Sequence, residues 1–138
     1  MVYEGFFLND SLPSSLDKDI EFKHVTVQYK PRKEHRDLYG AKARFRVVGY
    51  GKDEENEGLR VYLVTLDVSM LETTQDKATE LLDLYHEVEI PHITLSVSKE
   101  GKPVNTKNLE FSEKVPKEYD HIISCTFGGF DGTSPVLH

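Results

Sequence analysis

A chain of 138 residues, 38% hydrophobic and 30% charged, is long enough to bury a core and short enough to be one unit, so residues 1–138 are read as a single domain. A net charge of −7 argues against long nucleic acid as a partner, since phosphate backbones demand many cationic contacts, and no apolar run approaches a membrane span. Cys125 is the only cysteine, which excludes an internal disulfide and leaves it as an inert core residue; Glu4, Asn9 and Asp10 interrupt any leader-like pattern, so a cytoplasmic location is expected.

Taken in chain order, 2–8 reads as a first strand and 9–19, polar with Pro13, as a loop. Residues 22–29 alternate and read as a strand. A charged connection over 31–40 leads to strands at 43–50 and 60–66, joined by a long acidic hairpin loop over 51–58. Ala78, Leu81, Leu82 and Tyr85 recur at helical spacing and predict a helix over 74–85, capped by Thr73 or Thr74. Residues 90–98 read as a strand opened by Pro91, 100–107 as a turn-rich connection, 121–127 as a last strand and 128–135 as a glycine-rich tail loop. Strands outnumber helices, so the expected class is α+β with mainly antiparallel sheets.

Charge is uneven along the chain. Between Lys23 and Arg46, eight basic residues (Lys23, Lys30, Arg32, Lys33, Arg36, Lys42, Arg44, Arg46) stand against two acidic ones, Glu34 and Asp37. Such a segment suits one small phosphate ligand, and equally suits a solvated hairpin.

Two strands carry the chemistry. In His24-Val25-Thr26-Val27-Gln28-Tyr29 one face holds His24, Thr26 and Gln28; in His92-Ile93-Thr94-Leu95-Ser96-Val97-Ser98 one face holds His92, Thr94, Ser96 and Ser98. A single His-x-Thr on a strand is common; two on alternating strands are far less expected. Cleavage of a phosphodiester needs a base for the attacking oxygen and an acid for the leaving one, and two histidines near neutrality divide those roles. Threonine hydroxyls on the same face are suited to the non-bridging phosphate oxygens. Neither histidine has a second ligand at i+4, so no metal and no cofactor is expected.

The segments His24-Val25-Thr26-Val27 and Pro91-His92-Ile93-Thr94-Leu95-Ser96 resemble the paired motifs of the 2H phosphoesterase superfamily: His, any residue, Thr or Ser, then a hydrophobic residue, twice. Val47-Val48-Gly49-Tyr50-Gly51 and Arg60-Val61-Tyr62-Leu63-Val64 are similar to a branch related to RNA-ligase-associated cyclic phosphodiesterases. The resemblance spans residues 2–98. It implies two antiparallel lobes with approximate twofold symmetry around a central cleft, His24 and His92 as the acid/base pair, and Thr26 and Thr94 as phosphate ligands. It also implies a cyclic nucleotide or RNA end as substrate; some viral members degrade cyclic nucleotide messengers of host defence. The usual long first helix has little room before His24.

Further substrate contacts are expected from Gln28 and Ser96 on the motif faces, Tyr3 as a base-stacking ring, Lys30 (with Arg32) for a second phosphate, and His86 at the cleft mouth. The expected partner is a small nucleotide or RNA-end substrate, handled by a monomer without membrane contact. The alternatives are a module that sequesters a cyclic nucleotide without cleaving it, and an interaction protein docking through its acidic surface.

Overall fold

The computed structural model describes residues 1–72 and 76–138. Its strands are β1 (Tyr3–Leu8), β2 (Lys18–Asp19), β3 (His24–Tyr29), β4 (Lys42–Lys52), β5 (Asn56–Asp67), β6 (His92–Val97), β7 (Ile122–Phe130) and β8 (Pro135–Val136). One α-helix, α1 (Lys77–His86), and 3-10 turns at Arg36–Leu38, Pro103–Asn108 and Lys117–Tyr119 complete it. Neighbouring strands follow the order β1-β3-β6-β5-β4-β7, and β7 also pairs with β1, so six antiparallel strands close into a barrel. Closure gives each of these six strands a neighbour on both sides, although β3 and β6 meet at one residue pair only. It also means that the two lobes implied by the resemblance are not separate sheets; the class, mainly antiparallel β with little helix, is as expected.

Alternation fills the interior. Phe6, Val25, Phe45, Leu59, Ile93, Leu95 and Phe127 are all fully buried. Phe6 meets Phe45 and Phe127 ring to ring, and α1 adds Leu81 and Tyr85 to the same cluster. Cys125 lies in this core, where burial pushes its thiol up to about 12, consistent with an inert residue.

Several boundaries differ from the sequence reading. The acidic hairpin loop shrinks to 53–55, because Asp53 caps the backbone N–H groups of Glu55 and Asn56, β4 pairs with β5 up to Lys52 opposite Glu57, and β5 begins at Asn56. The glycine-rich tail is strand as far as Phe130; a Cβ on Gly128 would sit 2.3 Å from the Val136 carbonyl oxygen, so glycine admits β8 alongside. The helix runs Lys77–His86, and its expected start at Thr73 or Thr74 lies outside the described residues. No helix among the described residues is long and apolar enough to cross a membrane.

Candidate active site

The two motif strands are neighbours, joined antiparallel through one residue pair, Val25 opposite Ile93. Both side chains point into the core and are fully buried. Their flanking residues therefore lie on the outer surface of the barrel, and antiparallel pairing crosses them: His24 lies toward Thr94, and Thr26 toward His92. Four residues from distant parts of the chain thus share one patch.

Each histidine opens its strand and is oriented in the same way. His24 Nδ1 is 2.8 Å from the Phe22 carbonyl oxygen, and His92 Nδ1 is 2.7 Å from that of Ile90. A carbonyl only accepts, so Nδ1 carries the proton in both rings and the lone pair of the neutral imidazole is on Nε2. Among the described residues neither Nε2 has a protein partner. Both pKa values lie below the ordinary histidine value. For His24, burial is the main cause, partly offset by the Phe22 carbonyl and reinforced by charge on His92. For His92, burial again leads, offset by the Ile90 carbonyl and reinforced by the Lys107 ammonium.

The likeness of the two strands extends to their neighbours. Glu4-Gly5 of β1 pairs with β3, and Glu57-Gly58 of β5 pairs with β6. In each case the glycine faces the motif threonine, Gly5 opposite Thr26 and Gly58 opposite Thr94, and the register slips between glutamate and glycine. A Cβ at Gly5 would stand 2.4 Å from the Val25 carbonyl oxygen, and one at Gly58 2.9 Å from that of Ile93. Only glycine lets the strands approach so closely at these bulges. Each slip breaks the two-residue alternation, so the next polar residue sides with a buried glutamate: Gln28 opposite Glu4, and Ser96 opposite Glu57.

Gln28 and Ser96 therefore leave the histidine face, contrary to the alternation reading. Ser96 is fully buried and donates to Glu57 Oε1 at 2.8 Å. The Gln28 Oε1 atom is buried with no hydrogen-bond partner among the described residues. Glu57 also accepts from the Ser15 N–H and hydroxyl, both at 2.9 Å, and from the Tyr50 hydroxyl. Glu4 accepts from the His35 N–H and the Tyr39 hydroxyl, both at 2.7 Å, and pairs with the His35 ring.

The threonines are not equivalent. Thr26 Oγ1 has no protein partner among the described residues. Thr94 is covered by the Pro103–Asn108 turn: its hydroxyl bonds Thr106 Oγ1 at 2.8 Å, with the Pro103 carbonyl 3.3 Å away. We expect Thr26→Val to lower kcat/KM by about 1.5–3 kcal/mol with little change in stability, the scale of a lost hydrogen bond to a charged group. Thr94→Val should instead lower stability, by about 1–2 kcal/mol for a buried hydroxyl pair. Paired denaturation and rate measurements separate the two roles; a stability loss in Thr26→Val alone would reverse the assignment.

The remaining expected contacts fall elsewhere. Tyr3 does not offer a free ring: it stacks on His24 with centroids 4.3 Å apart and on Phe130 at 5.2 Å, while its hydroxyl lies 3.2 Å from His24 Nδ1. With Phe7, opposite His24 across β1 and β3, it forms an aromatic wall that buries the imidazole. Lys30 lies just beyond β3, about 20 Å along the strand direction from His24, with its ammonium over the Tyr29 ring. His86 lies in a groove between β5 and α1, lined by Tyr62, Val64, Ala78, Leu82 and Tyr85. Two cations missed in the sequence flank the other side: Arg60, directly opposite His92, and Lys107, near enough to lower its pKa. Arg60 opens the strand expected over 60–66, but its pairing with the strand over 90–98 is not written in either segment.

Among the described residues no three His, Cys, Asp or Glu side chains gather as a metal site. Comparison with protein-family models, curated proteins and solved structures finds no match to this chain.

Proposed function

We propose that the chain is a two-histidine phosphoesterase acting on a small nucleotide-type phosphodiester, a cyclic nucleotide or an RNA-end cyclic phosphate. The observation that carries this is the matched pair of imidazoles, each fixed through Nδ1 on the carbonyl two residues before it, with Nε2 free on a shared patch. One Nε2 takes the proton of the attacking water or hydroxyl; the other, protonated, gives its proton to the leaving oxygen. Thr26 and the cations Arg60 and Lys107 hold the non-bridging oxygens, where negative charge builds. The aromatic wall of Tyr3 and Phe7 keeps His24 in place.

The twofold relation implied by the 2H resemblance finds support in the ring order. Strands β7-β1-β3 and β4-β5-β6 are two sets of three, meeting at β3–β6 and β4–β7. Each set carries a bulge in its His-x-Thr strand, at Val27 or Leu95, facing a Glu-Gly dipeptide, and β3 and β6 are paired at a single position. We read the two halves as lobes fused into one barrel, with the site on the loosely paired seam.

A pH–rate profile tests the scheme. Both imidazoles are neutral at neutral pH in the free protein, because both pKa values are lowered. One must gain a proton to serve as acid, so kcat/KM should follow a bell centred below the ordinary histidine value of about 6.5. A bound phosphate anion favours the imidazolium and should move the kcat bell to higher pH. The limbs belong to the coupled pair. A rate that climbs steadily into alkaline pH would rule out a histidine acid.

A further inference from the structure

Beyond Arg60, the outer surface of the barrel continues as a cationic and aromatic stripe that the site described above does not use. Directly opposite residues on antiparallel strands share a side. Arg60 lies opposite His92, Tyr62 is two residues further along β5, and Arg46 of β4 lies opposite Tyr62. Arg44 lies two residues beyond Arg46, its Nε donating to Thr65 Oγ1 at 3.0 Å. Tyr62 is 61% exposed, and Arg44, Arg46 and Arg60 are exposed. Among the described residues none of these three guanidinium groups forms an ion pair with a carboxylate.

Three unpaired arginines on one face stand out in a chain of net charge −7. The groove that holds His86 adjoins the same tyrosine, a concavity of about 380 Å³ with apolar walls from Leu63, Val64 and Leu82. Its aromatic and apolar lining suits a flat base, and the arginines beside it suit phosphates. Cation spacing fits a chain of phosphates: successive stripe positions are about 5 Å apart across strands and about 7 Å along them.

We propose that this stripe is an extended binding surface for a short single-stranded oligonucleotide, whose scissile phosphate lies between His24 and His92 and whose adjoining nucleotides cross β5 and β4. The proposal rests on the phosphodiester reading of the histidine pair. Arg60 stays with the scissile phosphate, at the start of the stripe. Tyr62 stacks a base at the groove, and Arg46 holds a further phosphate. A mononucleotide fills only the histidine patch, so the preferred substrate is an oligonucleotide a few residues long.

The test compares wild type with Arg46→Gln and Tyr62→Ala. Binding of a fluorescein-labelled 2′-O-methyl RNA pentamer is read by polarisation over a range of salt, and turnover is measured on a 2′,3′-cyclic mononucleotide and on a pentanucleotide ending in a 2′,3′-cyclic phosphate. Each variant should weaken pentamer binding about ten-fold and lower kcat/KM on the pentanucleotide in proportion, with mononucleotide turnover unchanged. In Arg46→Gln the slope of log affinity against log salt should fall by about 0.7. Unchanged pentamer binding in both variants overturns the proposal, as does an equal loss on the mononucleotide, or mononucleotide turnover by a wild type that does not bind the pentamer. Pentamer binding that both variants weaken, in a protein that turns over neither substrate, supports the surface and overturns only the catalytic reading.

Discussion

His24→Ala and His92→Ala should each lower kcat by about 10²–10⁴-fold on any phosphodiester the protein cleaves, the usual contribution of one general acid or base. The two losses should not add, because the imidazoles act on one transition state and removing either leaves the other without its counterpart. The double variant should therefore be little slower than the worse single one. Neither substitution should unfold the barrel. His92 is an outer-surface residue whose one side-chain bond among the described residues is to a local carbonyl. His24 is packed more tightly, stacked under Tyr3 and opposite Phe7, so His24→Ala opens a small cavity and His24→Asn is the gentler control. Circular dichroism and a urea midpoint verify the fold in each case. Near-wild-type turnover in a folded His92→Ala variant would remove the division of labour on which the scheme depends.

The second large effect concerns stability. Glu57 is 1% exposed and accepts hydrogen bonds from Ser15, Tyr50 and Ser96. Burial is the strongest single influence on its carboxyl and raises the pKa, but the bonds from Tyr50, Ser96 and Ser15 together outweigh it, and the net direction is down. A carboxyl with a lowered folded-state pKa stabilises the fold fully above its unfolded value of about 4.3, and that stability is lost as pH falls through the folded-state value. Glu57→Gln should cost about 2–3 kcal/mol at neutral pH, since an amide cannot accept from all these donors. It should also flatten the acid limb: between about pH 5 and 3 the wild-type urea midpoint should fall more steeply than that of the variant. Parallel curves would show that another carboxylate governs acid unfolding. Because Glu57 holds β5 to Ser96 of the second motif strand, loss of the network should also loosen the seam beside His92.

How much of this was legible in the sequence follows from the range of each interaction. The alternation of His24-Val25-Thr26 and His92-Ile93-Thr94 is local, and it correctly set the histidines and threonines opposite the core. Strand positions were largely legible for the same reason, from periodicity and from punctuation by Pro and Gly. The errors at Gln28 and Ser96 share one cause. Alternation assumes an unbroken pleat, and a bulge inserts one residue that turns the rest of the strand over. The signal was present as a repeated Glu-Gly dipeptide, Glu4-Gly5 and Glu57-Gly58, but it lies on the partner strands and gains meaning only once the pairing is known. Ring closure through β1 and β7 depends on residues more than 100 positions apart, beyond any local pattern. In the sequence Tyr3 looks like a free aromatic, because exposure on a first strand is not written in its neighbours; in the fold it is taken up by His24 and Phe130. Arg60 and Lys107 entered the site through strand pairing and through the Pro103–Asn108 turn that covers Thr94, neither of which the sequence declares.

The most direct test of the two-histidine reading is turnover by the wild-type protein, in EDTA, of a panel of 2′,3′-cyclic mononucleotides, 3′,5′-cyclic mono- and dinucleotides and short RNAs with cyclic phosphate ends. Product identity by chromatography and mass shows which phosphodiester bond opens. The geometry predicts cleavage of at least one member at a rate unaffected by the chelator, since the proton transfers are assigned to His24 and His92 and the charge to Thr26, Arg60 and Lys107. Cleavage that appears only on adding a divalent metal, or tight binding of a member with no cleavage of any, would contradict it.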